Sequence, residues 1–303
     1  MDIVILFIVA CDFNSLGGFF MTWSVERRLE FIDFRLYWEG RINRKDLTDF
    51  FDISIPQASA DLRTYQLKAP QNIDYDKSGK FYFATKQFKP VFKVIDSSHY
   101  FSQLRLLFDR VLKKEESFLG MVPSFDSIPS VARVVDSEIL RNILKGINEK
   151  MSMEINYQSM SRDKSIWRKI APHTLAYDGF RWHIRAYCYI HNDFRDFLLV
   201  RMLELRNLQP AAIDPSADSR WNNIVEVKIE PHPGLSDAQK KIIERDYDMK
   251  NGVGVLKVRA ALYFYLEKHL GLDKGCSLRP AHEQQIVLAN RGEIEELMSR
   301  YNS

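Results

Sequence analysis

The chain has 303 residues, a formal net charge of +3, 46% hydrophobic and 27% charged residues. That length gives two or three domains room for a core each, and the composition excludes collagen-like or wholly disordered chains. A mildly positive total permits a nucleic-acid partner without requiring one, because a local patch outweighs the sum. Cys11, Cys188 and Cys276 are far apart and lack Cys-x-x-Cys spacing, which excludes a disulfide framework or zinc ribbon and fits a reducing cytoplasm.

Ile3 to Ala10 is apolar but falls short of the roughly 20 residues that span a bilayer. Met1-Asp2 offers no basic region ahead of it, as a secretory signal would. Residues 1–20 are therefore read as an N-terminal extension without function, with Met21-Thr-Trp-Ser as the natural start. From Ser24, read as an N-cap, Val25, Leu29, Ile32 and Leu36 fall at helical spacing, and Gly40 ends that helix. Asn43 caps a short second helix that buries Leu47, Phe50 and Phe51. Ser54-Ile-Pro-Gln57 combines a capping box with a first-turn proline. It starts a third helix, to about Tyr65, that buries Ile55, Ala58, Leu62 and Tyr65 and shows Gln57, Ser59, Ala60, Arg63 and Thr64.

A tight turn at Asp52–Ser54 makes the last two helices a helix-turn-helix. Ile73-Asp-Tyr75, the turn Asp76-Lys-Ser-Gly79 and Lys80-Phe-Tyr-Phe83 read as a β-hairpin with glycine at the turn exit. The sum is a winged helix over residues 21–95. Its third helix would lie in a major groove, with Gln57 suited to adenine, Arg63 to guanine, and Ser59 and Thr64 to close contacts. Arg41, Asn43, Arg44 and Lys45 precede or open the second helix, where phosphate contacts lie. Lys77 and Lys80 flank the wing tip. The competing reading is a small protein-docking module whose exposed residues merely solvate it.

Residues 96–150 read as a helical linker. Phe101, Leu104, Phe108 and Val111 form one stripe and Leu140, Ile143, Leu144 and Ile147 another, separated by a hinge from Ser117 to Ser130. Residues 151–212 then alternate with period two. Met153–Tyr157 and Trp167–Ile170 are strands, followed by Pro172-His173. In Trp182–Cys188, one side carries Trp182, Ile184, Ala186 and Cys188, and the other Arg181, His183, Arg185 and Tyr187. In Asp193–Arg201, Arg195, Phe197, Leu199 and Arg201 share a side. Four or five strands in about sixty residues suit an SH3-like β-barrel. Its arginine, histidine and aromatic groups are expected to make one face for an anionic, nucleotide-like ligand, with Tyr157, Ser159, His173, His183, Arg185, Arg195, Phe197 and Arg201 as contacts. A solvated sheet face with scattered cations is the alternative.

Residues 213–303 alternate strand and helix: Val225–Ile229, Asp237–Tyr247, Gly252–Val258, Ala260–Leu270 and Gln285–Leu288. That pattern suits a ferredoxin-like α+β domain. The fold class is thus α+β multidomain. No Gly-x-Ser-x-Gly, His-Glu-x-x-His, phosphate-binding loop or dinucleotide fingerprint occurs, and Cys188 lies on the opposite side of its strand from His183, so an enzyme is not expected. No cofactor, metal or membrane partner is expected either.

Pro172-His173, Tyr177-Asp-Gly, Trp182-His-Ile-Arg185-Ala, Phe194-Arg195-Asp-Phe197 and Arg201 resemble the WYL domain. Here Trp182-His183-Ile184 stands where the name-giving Trp-Tyr-Leu would be. Gly40-Arg-Ile-Asn-Arg-Lys-Asp-Leu and Pro56-Gln-Ala-Ser-x-Asp-Leu resemble the DNA-binding domain of the WYL regulators that accompany bacterial antiphage systems, the BrxR and CapW kind. The resemblance implies a homodimer joined through the C-terminal domain. It also implies double-stranded DNA with an inverted-repeat operator, and repression of a phage-defence operon relieved by a nucleotide or nucleic-acid ligand. The other reading from the residues is a single-stranded nucleic-acid-sensing accessory protein without operator specificity.

Overall fold

The computed structural model describes residues 19–92, 96–128 and 134–301, and only the backbone of residues 19–24. The expected extension over residues 1–20 lies, apart from its last two residues, outside the described ones. The chain divides into two units, with the boundary between residues 130 and 131.

In the first unit, α1 spans Phe19–Glu39. The expected N-cap Ser24 therefore sits inside the helix and not at its start. Gly40 ends it at φ +71, a left-handed conformation that costs glycine nothing. Helix α2 (Arg44–Phe51) is opened by a reciprocal box: Asn43 Oδ1 accepts from the Asp46 amide (3.1 Å) while Asp46 Oδ2 accepts from the Asn43 amide (2.7 Å). Helix α3 (Ile55–Lys68) starts at Ser54, whose hydroxyl accepts from the Gln57 amide at 3.3 Å.

A short strand β1 (Arg41–Ile42), absent from the sequence reading, pairs with β3 (Phe81–Ala84), which pairs with β2 (Ile73–Asp76). The wing turn is held by Asp76 Oδ1, which accepts from the Ser78 and Gly79 amides. Its left-handed residue is Lys80 at φ +56, and not the glycine before it.

The core of this unit joins Leu29, Ile32 and Leu36 of α1 to Leu47, Ala58, Leu62 and Tyr65, with Phe50 and Phe51 packed alongside. Ile55 departs from expectation. It lies 64% exposed in the first turn of α3, where no neighbouring helix covers it. Asp33, buried in α1, ties the far end of the domain down: it accepts from the Tyr65 hydroxyl and from the Val91 (2.9 Å) and Phe92 (3.3 Å) amides.

Helix α4 (Ser97–Phe108) adds Leu104 to this core, but Phe101 and Val111 of the expected stripe point to solvent. Gln103 explains the discrepancy. Its carbonyl receives the Ser117 hydroxyl and Phe118 amide, so the buried side of the helix is rotated toward that returning segment.

The second unit opens with α5 (Ser137–Asn148), whose Ile139 and Ile143 pack under a five-stranded antiparallel sheet. The strands are β4 (Met151–Tyr157), β5 (Ile166–Tyr177), β6 (Trp182–Cys188), β7 (Asp193–Leu198) and β8 (Met202–Pro210), in the order β7-β6-β5-β4-β8. The sheet curls. Tyr157 of β4 meets Phe197 of β7 edge-on at 5.2 Å, and its hydroxyl accepts from the Leu198 amide. Among the described residues β7 and β8 are not paired, so the expected SH3-like barrel is not closed.

The remainder comprises α6 (Ser219–Asn222), β9 (Ile224–Pro231), α7 (Asp237–Asp246), β10 (Gly254–Arg259), α8 (Tyr263–His269), β11 (Ile286–Leu288) and α9 (Arg291–Arg300). β9 lies between β10 and β11, antiparallel to both. Its Val225, Val227 and Ile229 face a core completed by Ile243, Tyr263, Leu272 and Ile294. A ferredoxin-like βαββαβ sheet would have four strands; three are described here. No helix among the described residues is long and apolar enough to cross a membrane.

Candidate functional site

The first candidate surface is the exposed side of α3 with the wing beside it. Helix α3 is seated by a nearly buried pair: Arg28 of α1 donates from Nε (2.6 Å) and Nη2 (3.2 Å) to the two oxygens of Asp61. Asp61 also accepts from Gln57 Nε2 at 3.0 Å, so one of the two Gln57 amide protons is already engaged and its carbonyl and second N–H are left to face a base. Ser59 and Thr64 turn their hydroxyls back onto the helix, donating to the Ile55 and Ala60 carbonyls at 2.9 Å each.

Arg63 is different. It is exposed, and no described side chain pairs with it. Arg44 and Lys45 are exposed in the first turn of α2, whereas Asn43 is spent on the cap. Arg41 lies over the Phe81 ring at 5.9 Å, and Lys77 and Lys80 project from the wing tip. Gln57, Arg63, the α2 start and the wing thus lie in one domain on elements that place them rigidly.

The second candidate is the curled sheet, and here the register overturns the expectation of one cationic face. Ile184 pairs with Phe197, Arg185 with Asp196, Ala186 with Arg195 and Tyr187 with Phe194. Directly opposed residues share a face. Arg195 and Phe197 therefore stand on the apolar side of β6, while Arg185 and His183 stand on the other. A further register shift between Pro172 and Thr174 of β5 marks a bulge at His173.

The outer side is closed by carboxylates. Asp218, the N-cap of α6 and 1% exposed at its side chain, accepts from Arg185 Nε (2.7 Å) and Nη2 (2.9 Å), from His173 Nε2 (3.0 Å) and from the Trp221 amide (3.1 Å). Burial opposes its ionisation, but these donors, Arg185 and His173 foremost, hold its carboxyl far below the ordinary carboxylate range. Arg185 Nη1 also reaches Asp196 (3.3 Å), which accepts from the Tyr265 hydroxyl of α8 (3.2 Å). His183 is buried against Asp178 at 2.8 Å, with the Tyr265 ring 4.8 Å away. Burial works against ionisation at Asp178 too. Donors from His183, the Phe180 and Arg181 amides and the Arg181 side chain still push it down to about 2. His173, His183 and Arg185 are thus built into a polar seam between the sheet and the C-terminal segment.

The inner side gathers a different set at the end of the curl. Arg168, 8% exposed, pairs with Ile155 in register and so stands on the core side. Its guanidinium lies 5.8 Å from the Tyr157 ring and donates from Nη1 to His191 Nε2 at 3.5 Å, while its Nε is buried without a partner. The His191 ring is held below its ordinary pKa by partial desolvation and by the nearby Arg195, Arg168 and Arg162, against a single opposing carboxylate, Asp193.

Of the residues expected from sequence, Tyr157, Arg195 and Phe197 belong to this side. Ser159 shares a hydrogen bond with Ser161 (2.8 Å), and Arg201 ends the turn between β7 and β8, its carbonyl accepting from the Gln158 amide. Arg168 and Arg162 were missed. Arg168 alternates with Ile166 and Ile170, a signal that it faces inward, but only the register shows what it meets.

A helix-turn-helix with a wing, followed by a curled sheet domain with cationic residues at one end, defines the class of a winged-helix DNA-binding protein with an appended β-sheet domain. Comparison with known proteins narrows this. Residues 24–106 match the family model of the BrxR transcriptional regulator winged helix-turn-helix domain, 138–207 the WYL domain, and 224–294 the BrxR transcriptional regulator C-terminal dimerization domain.

A protein of Stenotrophomonas maltophilia named DNA-binding transcriptional repressor CapW is 39% identical over 286 residues, covering 94% of this chain and 96% of its own. Proteins of the same name are 40% identical in Escherichia coli strain KTE188 (92% and 93% covered) and in Pseudomonas aeruginosa (91% and 92%). The chain belongs to the BrxR- and CapW-like family of winged-helix WYL regulators.

Proposed function

We propose that this protein is a homodimeric, sequence-specific DNA-binding repressor of a phage-defence operon. Its hold on an inverted-repeat operator would be released by an anionic nucleotide-like or nucleic-acid ligand at the WYL sheet. The observation that carries the DNA-reading half is the exposed, unpaired Arg63 on a helix locked in place by the Arg28–Asp61 pair, in the same domain as the exposed Arg44 and wing lysines. Names of the relatives support repression, and the match of residues 224–294 to a dimerization domain supports a dimer with half-sites about one helical turn or a multiple apart. The ligand half rests on the inner cluster around Arg168 and Arg195. Arg185, His173 and His183 act from the seam behind it, by setting the sheet against the C-terminal segment.

The test is a gel shift with the region upstream of the protein's own gene against a scrambled duplex of equal length, over a range of salt. A repressor discriminates by about 10³-fold or more. Equal affinity would overturn the reading and favour a single-stranded nucleic-acid accessory protein.

A further inference from the structure

Arg168 is a nearly buried cation that no described carboxylate pairs with, and its Nε proton has no acceptor. Such a group is costly to leave unmatched. It reaches His191, and around that ring Arg168, Arg162 and Arg195 face one carboxylate, Asp193, which is already spent on Arg195 at 3.8 Å. The depressed His191 pKa is a second sign of that uncompensated positive potential. With the imidazole neutral the cluster carries two net positive charges. A phosphodiester brings one negative charge. A terminal phosphate monoester brings nearly two at neutral pH, with three acceptor oxygens to share among the guanidinium forks. The Tyr157 ring beside Arg168, packed edge-on against Phe197 in the core, backs the cluster with apolar surface and keeps the local dielectric low.

We infer that the Arg168–His191–Arg195 cluster at the inner end of the curled sheet receives a terminal phosphate monoester, from a free nucleotide or from the end of a nucleic-acid strand, and does not read internal phosphodiesters. This rests on the proposed anionic-ligand reading and specifies its chemistry. The binding contribution comes from charge-assisted hydrogen bonds made by the half-exposed Arg195 fork, with Arg168 behind it supplying an unmatched positive charge.

Calorimetry on the full chain tests it with three probes: thymidine 5′-monophosphate, hexathymidylate bearing a 5′-phosphate, and the same strand with a 5′-hydroxyl. The expected result is that at least one phosphorylated probe binds, and binds about tenfold or more tightly than the hydroxyl strand. The mononucleotide alone would point to a free nucleotide, and the phosphorylated strand alone to a strand end; either supports the assignment. Arg195→Gln, half exposed and safe for folding, should weaken the monoester about tenfold or more, as should Arg168→Gln. Equal binding of the two strands would overturn the monoester assignment while leaving an anionic ligand standing. Unchanged monoester binding in both variants would place the receptor elsewhere. Binding of none of the three probes would remove the anionic-ligand reading itself.

Discussion

At Asp218 one buried carboxylate holds together Arg185 of β6, His173 of the β5 bulge and the first turn of α6. Removing one partner of a buried pair strands the other, so Asp218→Ala should lower stability by about 3–5 kcal/mol, read by urea unfolding. Replacing both ends, as in Asp218→Leu with Arg185→Met, should cost less than that single change, because no charge is left stranded. The pH dependence has a definite sign. Because the folded-state pKa of Asp218 lies well below its ordinary 3.8, its stabilisation is complete above that value and is lost as pH falls below it. Thermal melts at falling pH should therefore show the gap between wild type and Asp218→Ala closing only below about pH 4. A gap that closes between pH 5 and 7 would assign the stabilisation to another group.

Whole elements carry the next pair of predictions. Ser54 caps α3 through the Gln57 amide, so Ser54→Ala should cost about 1 kcal/mol. Arg63→Ala should relax base preference at one operator position by about 1–3 kcal/mol, whereas Lys77→Ala should weaken all sequences alike and flatten the salt slope by about one. Binding measured on operator variants across a salt series separates the two. These elements were legible because each helix announces itself locally: Asn43, Ser54, Pro56 and Gly40 mark ends, and Leu29, Ile32, Leu36, Leu47 and Leu62 mark buried stripes. The sheet was legible only strand by strand. Alternation in Trp182–Cys188 and in Asp193–Leu198 is visible in the sequence, but the register that joins them is not. A slip of one residue between strands moves a whole set of side chains across the sheet. That is why Arg185 and Arg195 read as neighbours and stand on opposite sides. For the same reason, nothing local announced Asp218, which meets Arg185 from 33 residues away.

For the molecule as a whole, the proposal that an anion at the inner cluster releases DNA is a statement about linkage. If the ligand weakens operator affinity by some factor, the operator must weaken ligand affinity by that same factor, since both are one coupling free energy. A coupling of about 1–3 kcal/mol corresponds to roughly 5–150-fold in each direction. The measurement is a thermodynamic box on the full chain: operator affinity with and without saturating 5′-phosphorylated hexathymidylate, and affinity for that strand with and without saturating operator duplex. A scrambled duplex serves as the second control, because its contacts are to phosphates and carry no operator geometry. The expected outcome is equal factors within error on both sides of the box for the operator. Operator affinity that keeps falling with strand concentration and never levels at a finite factor, with the scrambled duplex displacing the strand as well as the operator does, would mean that the strand competes for the winged helix itself. The cationic end of the sheet would then not be the receptor that governs release.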